Sequence, residues 1–237
     1  MPNPYFQFKQ FTIFHDRCAM KVCTDACILG AWFADRIKTP SAILDIGAGS
    51  GLLMMMLAQK NKSDIHGIEI DEPSFSQLTE NINQSKWNEL LKVYHGDVRK
   101  FLFPVKYDFI ITNPPFFEND LQSEEEHLNV AKHSKQLTLE ELLKVIDTNL
   151  SPEGSFGILL PHHRMEYFTE LCRKAGYNLS EQLLVKQSPA HNFFRVILHF
   201  SRVPVKSVHK KELIIQDDSL KYTKEFTELL KDYYLYL

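Results

Sequence analysis

Residues 42–60 constrain the fold most. Ala42-Ile-Leu-Asp-Ile46 is a short apolar run, Gly47, Gly49 and Gly51 alternate with Ala48 and Ser50, and Leu52–Lys60 resumes with apolar residues on every side. An apolar run of that length reads as a buried strand. Glycine at every second position lets the backbone turn sharply before a helix begins. A strand feeding a helix through a glycine turn opens a parallel α/β sheet, with the turn where a ligand approaches the backbone. The alternation continues downstream. Strands are predicted over Asp64–Ile70, Lys92–His95, Tyr107–Thr112 and Gly154–Leu160, and helices over Pro73–Asn83, Leu139–Asn149 and His163–Ala175. Leu183–Lys186 and Phe194–Phe200 then follow as strands with no helix between them. Strand–helix alternation closed by a hairpin predicts an α/β sheet that is mostly parallel, with one antiparallel edge strand.

Ahead of this core, Phe6, Phe8, Phe11 and Ile13 alternate with polar residues as in a strand, and Met20–Val22 is expected to pair back on it. Thr24 or Asp25 can cap a helix through Ile28, Leu29, Trp32 and Phe33, which Thr39-Pro40 ends. Tyr222–Leu237 reads as a closing helix whose aromatic end packs in the core. The organisation expected is a single domain over 1–237, with a hairpin and helix over 1–38 and the main sheet with its closing helix over 39–237.

With 237 residues, 44% hydrophobic and 24% charged, the chain can bury its own core without staples. The N-terminus has no signal-peptide run, and the longest apolar stretch, Leu52–Ala58, falls far short of the roughly 20 residues of a membrane span. A cytoplasmic protein is expected, as a monomer or weak dimer with no obligate protein partner. Cys18, Cys23 and Cys27 lack the C-x-x-C spacing of a zinc knuckle, so these and Cys172 read as free thiols and no metal is expected. The 27 basic against 30 acidic residues leave a net charge of -3, so any nucleic acid must be held by a local patch.

Three acidic residues stand at the ends of successive predicted strands. Asp45, ahead of Gly47, Ala48, Gly49 and Gly51, would repel a phosphate but suits an ammonium group. Glu69, followed by Ile70, can accept the hydroxyls of a ribose. Asp97 can accept from an exocyclic amine while the Val98 amide donates to a ring nitrogen. Ligands of open α/β sheets bind at this edge. Adenosine carrying a cationic amino-acid tail and no phosphate fits the set, and S-adenosyl-L-methionine is that molecule.

Asn113-Pro114-Pro115-Phe116 follows the fourth sheet strand. The Asn113 side-chain oxygen and the Pro114 carbonyl can accept both hydrogens of a planar NH2, favouring a nitrogen whose lone pair can attack a methyl group. The prolines stiffen these acceptors and Phe116 offers a face to a base. The same arrangement suits a protein glutamine or another RNA or DNA adenine. A non-catalytic RNA-binding module is a third reading.

These residues resemble motifs of the class I adenine-N6 methyltransferases, which implies a Rossmann-like, seven-stranded sheet. The ends extend the likeness. Phe8-Lys-Gln-Phe-Thr-Ile, His15–Val22, Thr24-Asp25, Leu29-Gly-Ala-Trp, Asn81-Ile-Asn-Gln-Ser, Leu213-Ile-Ile, Tyr222–Phe226 and Tyr233-Tyr-Leu look like the bacterial tRNA (adenine-N6)-methyltransferases that modify valine tRNA beside the anticodon. The resemblance implies methyl transfer from S-adenosyl-L-methionine to N6 of adenine 37. It also implies that Lys21, Thr24 and Asp25 close over the methionine end of the cofactor. Cys23 stands where that family has glycine, and Phe116 where tyrosine is common.

Basic clusters that could meet RNA are Lys9, Arg17 and Lys21; Lys132, His133 and Lys135; His162, His163 and Arg164; and, most densely, Arg202, Lys206, His209, Lys210 and Lys211.

Overall fold

A computed structural model describes residues 3–37, 41–115 and 137–237. Phe116, the Lys132–Lys135 cluster and Thr39-Pro40 lie outside the described residues.

The chain opens with a hairpin of β1 (Tyr5–Gln7) and β2 (Thr12–Phe14), paired Tyr5 to Phe14. The hairpin is thus complete within residues 5–14, and the expected return strand at Met20–Val22 does not form. Helix α1 (Thr24–Ala34) follows, with Cys23 at its N-cap and no side-chain cap, so neither Thr24 nor Asp25 caps it. Burial substitutes for the cap, since every residue from Ala26 to Ala34 is buried.

The main sheet is built from β3 (Ala42–Ile46), β4 (Asp64–Glu69), β5 (Leu91–His95), β6 (Tyr107–Thr112), β7 (Leu150–Pro161), β8 (Asn178–Lys186), β9 (Arg195–Ser201) and β10 (His209–Ile214). Its strand order is β10-β8-β9-β7-β6-β3-β4-β5, and all strands run parallel except β9. The α/β Rossmann-like expectation therefore holds, with two corrections. Among the described residues the sheet has eight strands, not seven. The antiparallel strand is also not at the edge, because β9 lies between β7 and β8.

Both differences have physical reasons. Val196, Ile197, Leu198 and Phe200 are buried, which demands cover on both faces and hence an interior place for β9. Strand β10 begins His-Lys-Lys-Glu, all exposed, so its sequence reads as a charged loop. Charge on an outer strand is the usual guard of an open sheet edge.

Helices α2 (Leu52–Lys60), α3 (Glu72–Asn83), α4 (Leu139–Asn149), α5 (Met165–Lys174) and α6 (Lys224–Leu230) cover the sheet. One buried cluster joins the N-terminal hairpin, α1, α2, α3 and α6 to one face. A second packs α4 and α5 on the other. Strand periodicity sorts the side chains of β3 between them, with Ile43 in the first cluster and Leu44 and Ile46 in the second. The closing helix is shorter than expected. Helix α6 ends at Leu230, and Tyr233 turns back into the core to donate from its hydroxyl to the Met56 carbonyl at 3.1 Å. No helix among the described residues is long and apolar enough to cross a membrane.

Candidate active site

The glycine turn leaves β3 with Gly47, Gly49 and Gly51 at φ of +73°, +55° and +85°, a region costly for residues with a Cβ. The three serve different ends. A Cβ on Gly47 would meet nothing within 4 Å, so the turn presents bare backbone to open space. A Cβ on Gly51 would come within 2.7 Å of Leu78, so this glycine lets α3 pack against the start of α2.

That open space is one end of a cleft of about 260 Å³ along the carboxyl ends of β3, β4, β5 and β6. Of the residues expected from the sequence, Gly47, Gly49, Glu69, Ile70, Asp97, Val98, Asn113, Pro114 and Pro115 line it. Asp45, Ala48, Gly51, Lys21, Thr24 and Asp25 do not. Ala48 and Gly51 pack inward, and Lys21 is exposed. Asp25 is taken by Arg195, whose Nε lies 2.8 Å from its Oδ2, so it ties the start of α1 to the start of β9.

The acidic residues differ sharply in their surroundings. Glu69, 8% exposed, accepts from the Gly49 amide through Oε2 and from the Ile70 and Asp71 amides through Oε1, each at 2.9 Å. A carboxylate offers about four acceptor positions. Three are therefore spent on backbone, which leaves one for a ligand hydroxyl where the sequence pointed to two. Asp45 is the reverse, fully buried with both oxygens unpartnered among the described residues. Desolvation, aided by the Glu69 charge, pushes its carboxyl up to about 8.

Asp97 is gripped by Arg99. The guanidinium Nε donates to both of its oxygens at 2.9 and 3.1 Å, and Nη2 to Oδ2 at 2.8 Å. This fork holds the Asp97 carboxyl below its ordinary range. Arg99 Nη1 also reaches Glu141 at 3.3 Å, the residue that closes the capping box of α4 with Thr138. Sequence reasoning passed over Arg99, although a cation two residues after Asp97 was the available signal. It also gave residues 18–20 no part in the site, whereas Cys18, Ala19 and Met20 form one wall of the cleft.

At the end of β6, Thr112 Oγ1 donates to the Ile46 carbonyl at 2.9 Å and locks β6 to β3. Asn113 is the next residue. Its Oδ1 is buried and receives no hydrogen bond from the described residues. Pro114 is buried and Pro115 exposed, so the rigid pair runs from the core to the cleft mouth.

The four cysteines are unbridged, and no group of three or more His, Cys, Asp or Glu among the described residues could hold a metal ion.

S-adenosyl-L-methionine fits this cleft on three counts. The glycine backbone is bare, the buried Asp45 carboxyl two residues ahead of Gly47 has no partner among the described residues, and among those residues no cluster of basic side chains lines the cleft to call for a phosphate.

The family model of the methyltransferase small domain matches residues 28–177. A protein of Dyadobacter fermentans named tRNA1(Val) (adenine(37)-N6)-methyltransferase is 44% identical, with 98% of each chain covered. Among solved structures, a "predicted O-methyltransferase" from Agrobacterium tumefaciens superposes with a TM-score of 0.68 at 15% identity, over 88% of this chain and 96% of that one. The glycopeptide N-methyltransferase MtfA complexed with (S)-adenosyl-L-methionine does so with a TM-score of 0.55 at 12% identity, over 75% of this chain and 87% of that one. With the glycine turn, the acidic strand ends and Asn113 on one edge of the sheet, the chain belongs to the methyltransferase small domain family, among the tRNA1(Val) (adenine(37)-N6)-methyltransferases.

Proposed function

We propose that the chain transfers a methyl group from S-adenosyl-L-methionine to N6 of adenine 37 in a valine tRNA. The observation that carries this reading is the Asn113 side-chain oxygen, a buried acceptor in the cleft wall with no donor among the described residues. A planar exocyclic NH2 supplies the donor it lacks.

When bound, S-adenosyl-L-methionine supplies a methyl group on a sulfonium, which is a strong electrophile with a good leaving group. The chain's own residues hold and orient the reactants. The backbone of Gly47 and Gly49 receives the amino-acid end, with the buried Asp45 carboxyl behind the turn as the nearby counter-charge. The remaining acceptor position of Glu69 takes a ribose hydroxyl. The Val98 amide and the Arg99-oriented Asp97 carboxylate meet the adenine edge, and Ile70 packs on its face. Asn113 Oδ1 and the Pro114 carbonyl accept from the target amine, which frees its lone pair from the ring. No strong base is needed, so the rate rests on orientation. Phe116 is assigned the stacking face for the extruded base.

The single-domain organisation over 1–237 is supported by Phe8, Ile13 and Tyr233, which pack into the same core cluster as the sheet. A tRNA substrate is the partner that the relatives' name supports. Incubation with unmodified valine tRNA and labelled cofactor, followed by nucleoside mass spectrometry, tests the reading. The expected product is N6-methyladenosine at position 37. Label in protein alone would overturn it.

A further inference from the structure

The basic clusters picked out in the sequence do not share one face. In a parallel sheet the cleft lies at the carboxyl ends of the strands. Arg202 follows the carboxyl end of the antiparallel β9, and His209 opens β10, so both stand at the opposite edge. Arg202 is also engaged by Asp147 at 2.7 Å, and Lys211 lies over Trp32 at 5.6 Å. Arg17 is spent on Glu80, and Lys9 on the Lys231 carbonyl. The densest basic run therefore faces away from Asn113.

His162 and the β8–β9 loop are placed otherwise. Register sets Thr112 beside Ile158, so Asn113 is level with Leu159 on the neighbouring strand. His162 is three residues further on, about 10 Å beyond Asn113 at ~3.3 Å per residue. The His162 amide donates to the Phe194 carbonyl at 3.1 Å, which brings the β8–β9 loop to the same rim. There the half-exposed ring of Phe193 lies 5.7 Å from the His162 ring at 37°, with Lys186 Nζ 5.2 Å from its centroid. Ser188 and His191 brace the loop with a 2.7 Å hydrogen bond. Lys186 has no ion-pair partner among the described residues.

We infer that Phe193, flanked by Lys186 and His162, is a stacking platform for an unpaired nucleotide of the RNA substrate beside the base held at Asn113. This rests on the methyl-transfer reading above. An aromatic face with an adjacent cation is the arrangement that holds single-stranded bases without reading sequence. It also answers the charge question, since a nearly neutral chain can hold RNA here through one ring and few cations.

Binding of unmodified valine tRNA transcript, followed by fluorescence anisotropy across a salt series, tests the platform. Phe193→Leu keeps the apolar bulk and removes the π face. It is expected to weaken tRNA binding by about 5- to 150-fold while S-adenosylhomocysteine binding is kept. Phe193→Trp is expected to restore affinity. Lys186→Gln is expected to flatten the slope of log K against log salt by about 0.7 to 0.9, the loss of one phosphate contact. Lys210→Gln, on the outer strand, is expected to change neither. Wild-type tRNA affinity in Phe193→Leu overturns the platform alone if the wild-type chain methylates the transcript. A wild-type chain that binds S-adenosylhomocysteine but not the transcript overturns both readings.

Discussion

The Glu69 carboxylate and the Gly49 amide, 2.9 Å apart, tie the end of β4 to the glycine turn that follows β3. The same side chain collects the Ile70 and Asp71 amides, so one residue shapes the floor of the cleft. Glu69→Ala strands these donors, and unsatisfied buried donors cost about 1–3 kcal/mol. The melting temperature should fall by roughly 2–10 °C in a chain of this size. Glu69→Gln keeps one acceptor oxygen and should fall less. Thermal melts with and without S-adenosylhomocysteine check this, and equal melting of both variants with the wild type would refute the structural half of the role.

Asp45 makes the ligand-free protein sensitive to pH. In the folded chain its carboxyl titrates near 8, whereas unfolded it titrates near 4. The folded state thus holds a proton that the unfolded state has released. Stability from this group is complete below about pH 4 and is lost as pH rises toward 8, by about 1.4 kcal/mol per pH unit. Urea titrations from pH 5 to 8 should show that fall in the wild type and a flatter profile in Asp45→Asn. Calorimetry near pH 7 should show proton release when the cationic cofactor binds to the wild type, and none in Asp45→Asn.

Asn113→Ala removes the acceptor proposed for the target amine, whose Oδ1 has no other partner among the described residues. Turnover is expected to fall by about 10²-fold or more, the usual cost of one preorganised polar contact to a reacting group. S-adenosylhomocysteine affinity should stay within about threefold of the wild type. Single-turnover assays beside calorimetry separate the two, and an unchanged rate would refute the assignment.

Arg99→Met frees Asp97 and breaks the link from the β5 loop to Glu141 on α4. The wild-type Asp97 carboxyl is held low by Arg99, so its charge is present above that depressed pKa and lost only as pH falls through it. Without the fork the carboxyl returns toward its ordinary range. The acid-side loss of cofactor binding should then begin at higher pH than in the wild type. At neutral pH the loss should be modest, about fivefold or less, because the pair is partly exposed. Binding measured from pH 4 to 7 tests the shift.

Local patterns carried much of the molecule. The glycine turn, its flanking strand and helix, and the limits of Tyr107–Thr112 and Leu139–Asn149 follow from periodicity and chain punctuation, and the structure agrees with them. Glu69, Asp97 and Asn113 were legible as candidates because each ends a strand or follows one within two residues, where parallel order brings them to one edge. The place of β9 was not legible, since a hairpin pattern does not say which neighbour a strand inserts beside. Strand β10 was hidden because an outer strand can be charged along most of its length.

The sequence by itself determined the chemistry offered: which carboxylates, which amide, which bare glycines, and the family they belong to. Tertiary structure decided what each was free to do. The Asp45 carboxyl was buried where none of the described residues offers it a donor. Asp25 gave its charge to Arg195, and Glu69 gave most of its acceptors to the backbone. The basic run around His209 was turned to the far edge of the sheet. Such outcomes depend on distances between residues far apart in the chain, which only packing sets.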